Sequence, residues 1–401
     1  MGWNARRGRC YRHLYPPSQG VLMSIARLIV DNLRHARGWS SDEKLLVINV
    51  DDYGNVRLAS ARARAELEAR ITGFGGYMDC FDALETREDL EALFEVLEGV
   101  RDCAGEPAVM TAYALSANPD FERIRAERVY SYEPLPTTFA RCAAQAPAAY
   151  EGAWELWRDG ERAGIFRPQF HGREHVNVAL IETKLAQGHA DLEANLALES
   201  MAGLSGVEEM PGVGFTHAFG GDNPNQLDRQ REILRDGVKL FESVFGFTSK
   251  TFTPPAQKLP RALVNDLRPM GVLTLDRPFM QRPARGRFPR LPRLSFPTAP
   301  QKRRPGCIVR TVSFEPGQGS YSDPIGHALR QIEQAFRWRK PAVVSSHRVN
   351  FAGHIDAENR RKGLRALDEL LHRIVATWPD VRFIGADDLA QTMLGKGHEA
   401  P

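Results

Sequence analysis

Apolar and polar positions along the chain follow two rhythms. Short apolar runs without helical spacing recur at residues 44–50, 108–114, 165–170, 250–253, 308–314, 342–346 and 381–384. Such runs read as strands buried on both faces. Between them, apolar residues at helical spacing occupy 60–70, 87–100, 139–144, 153–158, 176–185, 226–245, 325–338 and 359–378, with Gly246 stopping the longest early one. A further helix–strand pair is expected over 261–275. Alternation of this kind predicts an α/β fold in which helices cover a parallel sheet. No internal repeat and no linker-like composition divides it. The length would suit two average domains or one large α/β barrel with insertions.

Composition narrows the class. Over 401 residues the formal net charge is only +3, too small to point to nucleic acid. No apolar run approaches the roughly 18 residues that a membrane span needs. The cysteines, Cys10, Cys80, Cys103, Cys142 and Cys307, show no CxxC spacing, which fits a reducing compartment better than a disulfide framework or a thiolate zinc site. Residues 1–22 lack the apolar stretch of a signal peptide, and Met23, just before a better helix, reads as the natural start. A cytoplasmic location is the expectation. One segment breaks the pattern: residues 282–304 hold eight Arg or Lys, several prolines and no acid. It reads as a solvated basic insertion at about 280–306, or more sharply as a lid that meets phosphate or carboxylate on a substrate. Nothing in the sequence sets the oligomeric state.

The candidate chemistry lies at three strand ends. Asp51-Asp52-Tyr53-Gly54 closes the first run, His171-Gly172-Arg173-Glu174-His175 follows the run at 165–170, and Ser345-Ser346-His347 ends a late one. If the runs are neighbouring parallel strands, these ends share one rim, where α/β folds place their chemistry. Two histidines at i and i+4 on the first turn of a helix share a face and reach one cation, with Asp51 or Asp52 as the third ligand. Successive strand residues point to opposite sides, so both aspartates serve one site only if the chain turns there. Gly54 supplies the freedom for that turn. A Gly-rich stretch over 203–221 carries His217 and is followed by Asp222. Each motif alone is commonplace, since an Asp pair often only caps a helix or a turn. Their joint placement is what points to a site.

This set resembles the NodB-type polysaccharide deacetylases, the carbohydrate esterase family 4 fold, in a divergent bacterial branch, and the resemblance implies an N-terminal extension and helix over 1–40 followed by one distorted (β/α) barrel over 41–395. Val50-Asp51-Asp52-Tyr53-Gly54 looks like the family's first motif, which is also similar to that of the YdjC-like sugar deacetylases. His171 to His175 looks like the second, Thr251-Phe252-Thr253-Pro254-Pro255 the third, and Ser345-Ser346-His347 the last. The resemblance implies a divalent metal, zinc by preference, held by Asp52, His171 and His175. It implies Asp51 as general base and His347 as the acid that protonates the leaving amine or alcohol. It also implies oxyanion donors among the backbone N–H groups near Pro255 to Gln257. The substrate would be an acylated sugar or glycan that loses an N-acetyl group. The third motif departs from the family. Thr253 stands where an arginine orients the base, and Ala256 stands where a tyrosine follows the prolines. Asp276 matches the aspartate that pairs with that arginine, leaving Arg173 or Lys258 as substitutes.

Two other readings compete. His-Gly-Arg-Glu-His also fits the HxxEH pattern of inverzincin peptidases, with Glu174 as base, but that leaves Asp51, Asp52 and His347 without roles. The missing arginine motivates the second, a deacetylase-like barrel that binds glycan or metal without turnover. A pure binder, however, has no use for a base–acid pair.

Overall fold

The structure is a computed structural model in which residues 32, 34–221, 224–281 and 293–395 are described. The chain before residue 32, Asp222 and the basic stretch 282–292 lie outside them. Nine strands form one sheet: β1 (Lys44–Tyr53), β2 (Met110–Leu115), β3 (Phe166–Gly172), β4 (Thr251–Phe252), β5 (Thr274–Pro278), β6 (Gly306–Arg310), β7 (Val312–Ser313), β8 (Ala342–His347) and β9 (Val381–Phe383). The order is β6-β5-β4-β3-β2-β1-β8-β7, with β9 also on β1, and every pairing is parallel. Helices α1 (Ala61–Arg70), α2 (Arg87–Glu98), α3 (Ala153–Arg162), α4 (Val178–Gln187), α5 (Pro224–Phe245), α6 (Pro324–Arg337), α7 (Ala357–Thr377) and α8 (Ala386–Gly395) alternate with these strands.

The apolar run at 308–314 is not one strand. It breaks at Thr311 into β6 and β7, which sit at opposite ends of the sheet order. Thr311 makes the joint: its N–H donates to Val343 O at 3.0 Å, and its hydroxyl accepts from Val343 N–H at 3.2 Å. A continuous stretch of chain therefore ties the two edges together, and the sheet curls into an irregular (β/α) barrel. The pair expected over 261–275 is corrected as well. Its helical part consists of 3-10 turns, Arg261–Asp266 and Arg268–Met270. Pro269 cannot donate to a helix, and Gly271 at φ 87 ends the second turn.

Strand alternation sorts β1 cleanly. Leu46, Ile48 and Val50 join the large outer core with Leu90 and Leu93 of α2 and with Leu367 and Leu371 of α7. Each such buried side chain stabilises the scaffold by roughly 1.5–3 kcal/mol. Leu45 and Val47 point inward, to a small cluster with Tyr113, Ile308, Val343 and the α8 residues Ala386, Leu389 and Met393. The same inward rows continue as Asn49, Asp276 and Arg310, and end at Asp51. The barrel is thus apolar at its base and ionic toward the C-terminal ends of its strands. The flanks of the basic segment pair as a short antiparallel hairpin, Met280 opposite Leu294. Among the described residues no helix is long and apolar enough to cross a membrane.

Candidate metal centre and active site

β2 separates the two strands that carry the acidic pair and the first histidine, so β1 and β3 are parallel but not neighbours. Both are irregular where they meet β2. On β1 the register runs from Val50 opposite Ala112 to Tyr53 opposite Ala114, so Asp51 and Asp52 face a single β2 residue. On β3 it runs from Phe170 opposite Ala114 to Gly172 opposite Leu115, leaving His171 as the extra residue. Bulges of this kind re-aim side chains, and they are common beside active sites. Asp52 takes φ 73, a left-handed conformation that Asp tolerates better than most residues. That single turn brings Asp52 to the barrel mouth beside Asp51, where simple alternation would send it outward.

The histidine pair is not helical. His171 ends β3, Gly172 has φ 138, and α4 begins only at Val178, capped by the Asn177 side chain. A glycine in that conformation rules out a helical turn between the two rings. His175, in the intervening bend, nevertheless swings back to the same point. Its Nε2 lies 3.0 Å from Asp52 Oδ1, and His171 Nε2 lies 3.1 Å from the same oxygen.

This trio fits a metal. His171 Nδ1 is 2.7 Å from the carbonyl of Thr253, which can only accept, so the proton sits on Nδ1. Nε2 then presents a lone pair to a carboxylate oxygen, an arrangement that calls for a shared cation. Donation from the remote nitrogen to a carbonyl is the usual support of a metal-binding imidazole. Asp52, His171 and His175 form the His/Cys/Asp/Glu cluster of metal-holding geometry among the described residues, and all three are buried. Two imidazole nitrogens and one carboxylate oxygen suit zinc better than magnesium.

Asp51 is clamped rather than free. Arg310 donates to it from both terminal nitrogens, at 2.7 and 2.6 Å, while its Nε donates to Asp276 at 2.8 Å. Asn49 Nδ2 holds the same Asp276 oxygen at 3.0 Å. Arg310 also reaches Thr253 Oγ1 at 3.0 Å and lies over the Tyr113 ring. Burial alone would raise the Asp51 carboxyl, but the guanidinium outweighs it and holds the group below the usual carboxylate range. Arg310 is the member of this candidate site that sequence reasoning missed. Neither expected substitute pairs with Asp276. Arg173 is engaged by Glu174 and Asp236, and Lys258 makes no ion pair among the described residues. The available signal was an arginine two residues after inward-facing Ile308 in an otherwise apolar strand.

His347 stands directly opposite Asp51 in the β1–β8 register, with Nε2 4.0 Å from Asp51 Oδ2. Its Nδ1 donates to Glu315 at 2.6 Å, and the other Glu315 oxygen accepts from Asn350 at 2.6 Å. Burial would lower the imidazolium, but Glu315, with Asp52 and Asp51 behind it, pushes it up to about 10. A divalent cation at the trio acts in the opposite sense. Next to His347, Arg348 is buried against Asp82 at 2.8 Å and Glu85 at 2.7 Å, and this scaffold fixes the strand end. Glu174, the base of the peptidase reading, is 2% exposed and bound through both oxygens by Arg173.

No family model and no curated protein matches the chain. Solved structures that resemble it include a Mycobacterium smegmatis protein named as a polysaccharide deacetylase, at 12% identity and TM-score 0.44, over 91% of this chain and 95% of that one. Another is the 4-alpha-glucanotransferase of Thermococcus litoralis, at 10% identity and TM-score 0.43, over 86% of this chain and 40% of that one. A third is a CE4-family pseudoenzyme of Bacillus anthracis, at 11% identity and TM-score 0.32, over 86% of this chain and 64% of that one. With TM-scores this low, the fold assignment rests on the strand order and the chemistry on the site itself.

Proposed function

We propose that the protein is a metal-dependent hydrolase that removes an acyl group, an N-acetyl group in the first instance, from a sugar or glycan. The observation that carries this reading is the convergence of a three-ligand set, an ionised clamped carboxylate and a carboxylate-backed histidine at one barrel mouth. A divalent ion, zinc by preference, held by Asp52, His171 and His175 would supply Lewis acidity toward the acyl oxygen and make water more acidic. Asp51 accepts the proton of the attacking water, because Arg310 keeps it ionised and correctly turned. His347 delivers the proton from Nε2 to the departing amine, with its ring orientation fixed by Glu315. Ala256 N–H is the oxyanion donor, since the amides of Gln257 and Lys258 are taken by Pro254 O and Pro255 O at 2.7 and 3.2 Å. The loop holds Ala256 at φ 51 and Gln257 at φ 54, and such strain is typical of backbone that a site constrains.

The test pairs metal content with acetate release from N-acetylated chitooligosaccharides. Wild-type protein dialysed against zinc should retain about one ion per chain and release acetate. Asp52→Asn should lose both, whereas Asp51→Asn should keep the ion and lose turnover. A wild type that holds zinc and binds the oligosaccharide without hydrolysing it would favour the non-catalytic binder. A wild type that holds no transition metal would end the hydrolase reading.

A further inference from the structure

The cations around the barrel mouth are nearly all matched. Arg310 has Asp51 and Asp276, Arg348 has Asp82 and Glu85, His347 has Glu315, and Arg57 has Asp79 at 2.8 Å. Lys258 has no such match among the described residues. It is half-buried, directly after the strained Pro255–Gln257 turn. Its loop is held at the metal site from below, because Thr253 O receives His171 Nδ1 and Pro255 packs over Gly172. A side chain on Gly172 would meet Pro255 Cγ at 3.1 Å, so the glycine lets this loop close down.

His217 comes to the same side from the Gly-rich stretch. Asn177, two residues beyond His175, pins that stretch: its N–H donates to Phe215 O at 2.6 Å and its Nδ2 to His217 O at 2.8 Å. The stretch wraps its own histidine closely. A Cβ on Gly220 would meet His217 Cβ at 2.5 Å, and one on Gly214 would lie 3.3 Å from the ring. Gly214 N–H donates to His217 Nδ1 at 2.9 Å, which leaves the proton on Nε2. Burial, and then the positive charge of Lys258, lower the His217 pKa, in the same sense as the Gly214 contact that leaves Nε2–H as the free donor. Arg57, stacked over Phe215 at 5.5 Å, braces the same stretch from the loop that follows β1.

We propose that Lys258 Nζ and His217 Nε2–H form a two-donor seat for an anionic substituent, a carboxylate or phosphate, on the acylated substrate. The inference rests on the hydrolase reading and narrows its substrate class from sugars in general to acidic sugars. In strand order the seat lies past β3 on the β4 side of the trio, while His347 lies past β1 on β8. The anion would therefore bind away from the leaving-group acid. A lysine of a half-buried residue position with no carboxylate partner among the described residues gains the full value of such a ligand, whereas a paired one would first have to give up its partner.

The test is binding to zinc-loaded Asp51→Asn protein by titration calorimetry. The probes are N-acetylglucosamine, its 1-phosphate, its 6-phosphate and the corresponding uronic acid. At least one anionic sugar should bind roughly ten- to a hundredfold more tightly than the neutral one, the usual worth of a hydrogen bond to a charged group. Lys258→Met should collapse that ratio toward one, and His217→Phe should reduce it. Whether the phosphates or the uronic acid gain identifies the anion. A neutral sugar that binds as well as all three acidic ones, or a preference that survives Lys258→Met, would overturn the seat. Wild-type acetate release from the neutral sugar in that case leaves the hydrolase reading intact. Loss of zinc and of all hydrolysis in wild type would instead remove that reading, and the seat with it.

Discussion

The two sides of the cleft are built differently. On the side of the proposed base, Asp51 is 6% exposed in its side chain, Arg310 4% and Asp276 0%, and each partner is held by more than one bond. On the side of the proposed acid, His347 keeps 31% of its side chain exposed and relies on one carboxylate, Glu315. The difference matches what each would do under the proposed reaction. A base that accepts a proton from water must start ionised and aimed, and a bidentate guanidinium in a low-dielectric interior secures both. An acid must be recharged with a proton after every turnover, so it needs a path to solvent. Adjacent Asp51 and Asp52 show the same division within one dipeptide. Asp51 faces a guanidinium, Asp52 faces two imidazoles, and a single bulge separates the roles.

The largest effects should come from removing the proton-transfer groups themselves. Asp51→Asn and His347→Ala are each expected to lower kcat by roughly two to four orders of magnitude while zinc stays bound. Measuring metal content alongside rate separates this from collapse of the site. If His347→Ala keeps full activity, the asymmetry has no catalytic meaning. Next comes stability. Arg310→Met leaves the buried Asp51 and Asp276 carboxylates without their guanidinium and should destabilise the fold by about 3–5 kcal/mol in urea titrations. Glu315→Ala, on the half-open side, should cost only about 1 kcal/mol. Equal costs would mean that the two sides are equally rigid.

How much of this was legible in the sequence depends on how local each signal is. The strand–helix alternation and the three strand-end motifs depend on near neighbours, and they stand where expected. The cluster of Asp52, His171 and His175 was legible by residue type even though the helical geometry assumed for the two histidines was wrong, because a bend and a glycine at φ 138 also bring two rings together. Arg310 was hidden because its partners arrive from β1 and β5, and no local pattern says that the strand at 306–310 lies across the barrel from Asp51. The break at Thr311 was hidden for a related reason. An apolar run looks the same whether it stays on one edge or crosses between two.

The smallest effect sharpens the comparison most, because it moves a pH limb rather than a rate. Burial opposes the His347 imidazolium, and Glu315 more than compensates by its negative charge, raising the ordinary 6.5 to about 10. Glu315→Gln keeps an acceptor for the Nδ1 proton but removes that charge, so the folded-state pKa must fall. An acid is active only while protonated, and its activity is lost as pH rises through its pKa. The alkaline limb of kcat should therefore move to lower pH in Glu315→Gln, by about one unit or more. The loss in rate at neutral pH should be only several-fold. A cation at the trio lowers the limb in both proteins alike and leaves the direction of the difference unchanged. The base limb, set by Asp51 and its clamp, should stay where it is in wild type. A Glu315→Gln profile that shifts on its acid side instead would exchange the assigned roles. A profile that does not move at all would make Glu315 a scaffold for the ring and nothing more.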